Sequence, residues 1–219
     1  MITLDIAGLD EVVVLGAHCA DIAIGVGGTL LAVTSARPGL QVRACVLSGA
    51  DSRREMEERH ALAALCPGAD LELTFLDVPD GHACAYWDPI KTALEAFRRR
   101  CSPDVVFAPQ GGGTHQDHQM LADMAPAVFD DHLILGYEIL SRRADTTRTA
   151  IYHPLTRAAV EEKARVILKH YESQAAHDWF DEDTFLSVSR LQGVHCRRPR
   201  AEAFVLEKAT LRFRIDRRD

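Results

Sequence analysis

The stretch "VVVLGAHCADIAIGVGGTL", Val12–Leu30, runs from an unbroken apolar segment into a histidine, an aspartate three residues later and a cluster of glycines. An apolar run of strand length that stops at such a turn reads as a buried strand. Four more runs repeat it, at Val42–Leu47, Leu71–Leu76, Val105–Ala108 and Leu133–Ile139. Helical patterns fall between them at about Gly27–Ala36, Arg53–Leu65, Pro89–Arg100 and Asp117–Phe129. Alternation of this kind predicts an α/β fold of right-handed βαβ units. Ordered in the Rossmann way, 3-2-1-4-5, the parallel sheet is flanked by helices, and its first and fourth strands are neighbours where the winding reverses. Ligands gather beyond the carboxyl ends of strands at such a point.

The last third follows another pattern. Leu155–Tyr171 reads as an amphipathic helix opened by Pro154 and Thr156, and Asp181–Leu191 as a second, capped by Asp181 and stopped by Gly193. Ala203–Leu206 adds a late strand or hairpin edge. With no linker in view, residues 1–219 are expected to form a single domain, the final third packing as a helical and strand cap beside the strand ends.

Composition narrows the function. The 219 residues are 47% hydrophobic, enough for a substantial core, and the formal net charge is −7. An acidic chain with only short basic stretches, Arg98–Arg100 and Arg197–Arg198, has no surface for neutralising nucleic-acid phosphates. No apolar segment reaches the ~18–20 residues that span a bilayer, and the start has no secretory pattern, so the expected location is cytoplasmic. The six cysteines are scattered without CxxC spacing and are expected as reduced thiols.

The first strand ends in His18-Cys19-Ala20-Asp21 and the fourth in "GGGTHQDHQ", which holds His115, Asp117 and His118. If the two strands are neighbours, residues a hundred positions apart form one cluster. Two imidazoles and a carboxylate suit a zinc ion with a vacant position; Fe²⁺ or Co²⁺ fits the same donors. His18, Asp21 and His118 are the expected ligands, with His115 and Asp117 close by for orientation or acid–base work. Each has a plainer reading: a histidine after a strand is commonly solvated, and Asp21 could cap the next helix. Their convergence at one switch point favours the metal.

A dinucleotide fingerprint would place GxGxxG directly after the strand, but Gly25, Gly27 and Gly28 arrive too late. That disfavours a nucleotide-binding oxidoreductase and leaves the glycines to allow close approach of backbone or substrate. Tyr137 and Glu138, ending the fifth strand, are expected to face the same crevice. His153, His170, His177 and His195 carry no ligand spacing and read as structural or surface residues.

Together "GAHCADIAIGVGGTL" and "THQDH" resemble the hallmarks of the PIG-L/LmbE-like family of zinc-dependent N-acetylglucosaminyl deacetylases: His-x-Asp-Asp after the first strand and a later His-x-Asp-His. "RREMEERHALAAL" resembles the family's Arg-x-x-Glu-x-x-x-Ala helix through Arg54, Glu57 and Ala61; "HYESQ" and "AEAF" resemble its His-x-Ser-Gln and Ala-Glu-Ala-Phe ending. The resemblance implies hydrolysis of an acetamide on an amino sugar or sugar conjugate, and a chain that often self-associates. It implies metal ligation by His18, Asp21 and His118, and a donor to the oxyanion or leaving amine in His115. Asp117 is then the carboxylate partner of His115, and Arg54 a substrate contact.

One position departs. Where the resemblance implies an aspartate that takes a proton from the attacking water, this chain has Ala20. A positioned base supplies ~10²–10⁴ in rate, about 3–5 kcal/mol of barrier, so the chain as written is expected to be impaired while its ligands stay intact. Ala20 reads as an engineered, inactivating replacement. The alternative is a natural alanine: a poor hydrolase, one that uses His115 as base, or a non-catalytic protein that holds metal or sugar on the same fold.

Overall fold

The computed structural model describes residues 3–140 and 149–210. Its sheet has seven strands in the order β3-β2-β1-β4-β5-β7-β6: β1 Glu11–Gly16, β2 Gln41–Val46, β3 Asp70–Phe75, β4 Val105–Pro109, β5 Ile134–Tyr137, β6 Ile151–Pro154 and β7 Ala201–Lys208. The first five are parallel in the expected 3-2-1-4-5 order, with Val12 level with both Val42 and Val105. The strands β1 and β4 are therefore neighbours, which brings the two histidine segments to one place.

Among the described residues six α-helices surround the sheet: α1 Asp21–Ala36, α2 Arg53–Leu65, α3 Trp87–Arg98, α4 Gln116–Val128, α5 Arg157–His170 and α6 Glu182–His195. The strand β1 is buried at every position. Its alternate side chains feed two cores. Val12 and Val14 pack with α1, α2 and α5, while Val13 and Leu15 pack with α3 and α4. Burial of each such side chain contributes about 1.5–3 kcal/mol, which is why the run is apolar throughout rather than alternating.

Three expectations change. The helix expected from Gly27 begins at Asp21, because the glycines are held helical by packing rather than propensity. A Cβ at Gly25 would collide with the Tyr137 ring, and one at Gly28 would lie 2.6 Å from Leu155. Tyr137 accordingly does not face a crevice: it is fully buried against α1 and donates its hydroxyl to the Leu15 carbonyl at 2.6 Å. The late strand is longer than expected and enters the sheet antiparallel to β5, joined by β6, so the last third extends the sheet as well as adding helices.

Residues of α5 and β7 also brace α1. Lys163 Nζ donates to the Ile24 carbonyl and to Glu202 Oε1, each at 2.6 Å, while Glu202 accepts from Gly28 N–H at 2.8 Å and Thr29 N–H at 2.7 Å. A buried ion pair from α5 and β7 thus adds partners to the backbone of α1 beside its glycines. All six cysteines are free, and no described helix is long and apolar enough to cross a membrane.

Candidate metal and catalytic site

At the carboxyl ends of β1 and β4, three donor atoms form a small triangle. His18 Nδ1 lies 3.2 Å from His118 Nε2 and 3.5 Å from Asp21 Oδ2, and His118 Nε2 lies 3.1 Å from Asp21 Oδ2. Ligand atoms at ~2.0–2.1 Å from a tetrahedral zinc are ~3.3 Å apart, so a divalent ion fits these donors as they stand. The set also has suitable chemistry, two borderline nitrogens and one hard oxygen. His18 and Asp21 are buried.

Local structure fixes each donor. The Asp21 carboxylate accepts the His18 backbone N–H at 2.8 Å, closing the turn between β1 and α1. His118 stands in the first turn of α4, behind His115, which is the residue capping that helix. On its outer side His18 Nε2 meets Asp117 Oδ2 and Asp80 Oδ1, each at 3.0 Å. A proton on Nε2 held by carboxylates leaves Nδ1 as the lone-pair donor, the usual way an outer partner sets a ligand's tautomer. Burial disfavours the charged form of His18, but Asp21 and Asp80 outweigh it and push its pKa up to about 10. Burial likewise opposes ionisation of Asp21, and the His118 and His18 rings hold it well below the usual carboxylate range. A metal would therefore displace a proton from His18.

Asp117 does not take the place expected for it. Besides His18, its carboxylate accepts from Gly81 N–H at 2.8 Å and Ala83 N–H at 3.1 Å, tying the loop after β3 to the site. His115 instead receives the Asp117 backbone N–H on Nδ1 at 3.3 Å. With Nδ1 accepting, the hydrogen of the neutral ring sits on Nε2. Burial first, then the neighbouring His118 and His18 rings, lowers the His115 pKa, so the ring is neutral near pH 7. It stands close: its centroid is 4.8 Å from that of His18 and 4.7 Å from that of His118. Among the described residues His18, His115 and His118 also form a three-imidazole donor group, and His18, Asp80 and Asp117 another.

Asp80 was not singled out in the sequence. It follows Pro79 and precedes Gly81, a turn signal just beyond β3, but nothing in that spacing marks a contact with His18. Asp80 also lies 3.5 Å from Arg54 Nη1. Arg54 stands at the rim, a third exposed, and donates to the Cys19 carbonyl at 2.9 Å. Ala20 is left-handed, φ 86 and ψ −20, a region that aspartate and asparagine enter more readily than alanine. The buried Glu58, also missed, accepts its N–H.

In the tail, Glu57 accepts from Ser173 N–H at 3.0 Å and from its hydroxyl at 2.5 Å, joining the two motifs. The residue two before Ser173, where His-x-Ser-Gln calls for histidine, is Tyr171, which is buried and donates to Glu58, whereas His170 only nears His60. Glu138 pairs with Gln192 beside an apolar cavity of about 250 Å³. His153 meets Thr29, and His177 stacks on Trp179.

A family model described as PIG-L, GlcNAc-PI de-N-acetylase, matches residues 13–129, just over half of the chain. No curated protein matches significantly. Among solved structures, a conserved protein from Thermus thermophilus is 22% identical, with a TM-score of 0.70 over 94% of this chain and 97% of its own. An N,N'-diacetylchitobiose deacetylase from Pyrococcus horikoshii, complexed with an inhibitor, is 18% identical, with a TM-score of 0.67 over 91% and 84%. A 4-carboxy-2-hydroxymuconate hydratase from Pseudomonas putida is 14% identical, with a TM-score of 0.71 over 95% and 100%.

Proposed function

Because the chain belongs to the PIG-L family, we propose that it is a metal-dependent N-deacetylase fold acting on an acetamide of an amino sugar or sugar conjugate, held back by alanine at position 20. The observation that carries this reading is the donor triangle of His18, Asp21 and His118, with edges of 3.1–3.5 Å. Zinc is the metal the donors suit best.

When bound, the metal polarises the acetamide carbonyl and the attacking water. The protein's own groups do the rest. Asp117 and Asp80 hold His18 in the tautomer that keeps its Nδ1 lone pair inward. His115, neutral and carrying its hydrogen on Nε2, is a donor for the oxyanion that develops on the carbonyl oxygen. The same tautomer makes it a poor replacement base, since its free nitrogen is already bonded to Asp117 N–H. At position 20 a methyl group accepts no proton, so water attack proceeds without a base. The left-handed turn there supports the view that this is an aspartate's place, whether alanine was introduced or arose naturally.

Ala20 also favours one other reading: a protein that keeps the metal and the sugar site but no longer turns substrate over. The test is the same for both. Purified protein is expected to hold about one zinc per chain by metal analysis, and His118→Ala to lose it. Ala20→Asp should release acetate from N-acetylated sugars ~10²–10⁴ faster than the chain as written. An Ala20→Asp protein that binds such sugars and releases none would establish the binding reading. Zinc-free protein whose metal content is indifferent to His18→Ala would end the metal reading altogether.

A further inference from the structure

The Cys19–Ala20 peptide group lies in the turn between His18 and Asp21, and α2 holds it by both ends. Arg54 Nη2 donates to the carbonyl of Cys19 at 2.9 Å. Four residues on, and so one helical turn away on the same face, Glu58 Oε2 accepts the N–H of Ala20 at 2.6 Å. Rotation of that one peptide plane sets ψ of Cys19 and φ of Ala20 together. Ala20 stands at φ 86, where its Cβ crowds the following carbonyl, and α1 has no side-chain cap at this end to steady it. The turn is therefore held from outside.

Glu58 is an expensive way to hold it. The residue is fully buried, and its Oε1 has no hydrogen-bond partner. Burial pushes its carboxyl up to about 7 even though Ala20 N–H and the Tyr171 hydroxyl both donate to Oε2. Buried carboxyls with an unsatisfied oxygen are uncommon and call for an explanation. Packing alone would be served better by an apolar side chain. Acceptance of one N–H, opposite an arginine that grips the other end of the same peptide, is a specific task.

We propose that Arg54 and Glu58 are positioning residues that clamp the Cys19–Ala20 peptide in the orientation that aims His18 and Asp21 at His118. The proposal rests on the metal reading above and deepens it. Released, the plane can turn, Ala20 relaxes to a negative φ, and the Asp21 carboxylate leaves the triangle. For Arg54 this adds a task inside the protein to the substrate contact implied by the resemblance.

Calorimetric titration of the full chain with Zn²⁺ tests it. Glu58→Gln keeps the shape of the side chain but loses the charge that strengthens its bond to Ala20 N–H, and is expected to weaken Zn²⁺ binding about 10–100-fold. Arg54→Gln should act in the same direction. Ala20→Gly, which needs no help at positive φ, should recover at least about tenfold of that loss in the Glu58→Gln background. A Glu58 that merely supports the fold would show no such rescue. The clamp is refuted if Glu58→Gln, or Arg54→Gln where the former does not fold, binds Zn²⁺ like the wild type, or if Ala20→Gly recovers nothing. Failure of the wild-type chain itself to bind Zn²⁺ would overturn the metal reading instead, and with it the purpose of the clamp.

Discussion

The first turn of α1 and the two turns that follow share a face of one helix yet meet opposite demands. At Asp21 the helix presents a carboxylate toward two imidazoles, and polar atoms crowd within 3.5 Å of one another. At Gly25 and Gly28 it presents nothing, so that the Tyr137 ring, Leu155 and Glu202 can occupy the space side chains would have taken. The difference shows how a site is made rigid. The reactive end can be densely charged because the next turns are locked against β5, α5 and β7. Chemistry and support lie within eight residues of each other.

Three measurements would break or sharpen that contrast. The largest effect is expected from Glu202→Gln, which leaves the Lys163 ammonium buried beside Ile24 without a counter-charge. Unpairing such a group costs about 3–5 kcal/mol, read as a lower denaturation midpoint. If stability barely moves, the ion pair is not what braces the helix. Next comes Gly25→Ala, whose methyl has to displace the Tyr137 ring; overpacking of this kind costs about 1–3 kcal/mol. Zinc content per folded chain should fall with it if the glycine face supports the donor face, and stay constant if the two are independent.

The smallest effect is a pH dependence. Glu58 has its folded pKa raised by burial to about 7, so its contribution to stability is present below the ordinary carboxyl range and is lost as pH rises through 7. Glu58→Gln removes that loss. The melting temperature of the variant relative to wild type should therefore shift in the variant's favour between pH 5 and pH 8. A flat difference would show that Glu58 titrates in the folded protein as it does in the unfolded chain.

Much of this was legible in the residues, and the remainder for a physical reason. The parallel order of the first five strands followed from apolar runs alternating with helical periods, and the convergence of His18 with His118 followed from that order. The start of α1 was not legible, because three glycines argue against a helix until the partners that fill their space are known. Tyr137 looked like a crevice residue from its place at a strand end; only the neighbouring Gly25 turns it into packing. Asp80 and Glu58 reach the site from a loop and from the next helix, so no spacing within either segment could announce them. The exchange of Asp117 from His115 to His18 is a matter of ring orientation. The fold alone does not name the reaction either, since a hydratase of 14% identity shares it at a TM-score of 0.71.

One consequence concerns the order in which the molecule can be completed. Glu202 lies 174 residues beyond the Gly28 N–H that it accepts. The helix carrying Asp21 precedes most of the sheet in the sequence, yet the carboxylate that braces it comes with β7. The long separation makes this a late, slow contact. A chain cut before β7 would lack the carboxylate to which Gly28 and Thr29 N–H donate, and the helix that carries Asp21 would go without that brace.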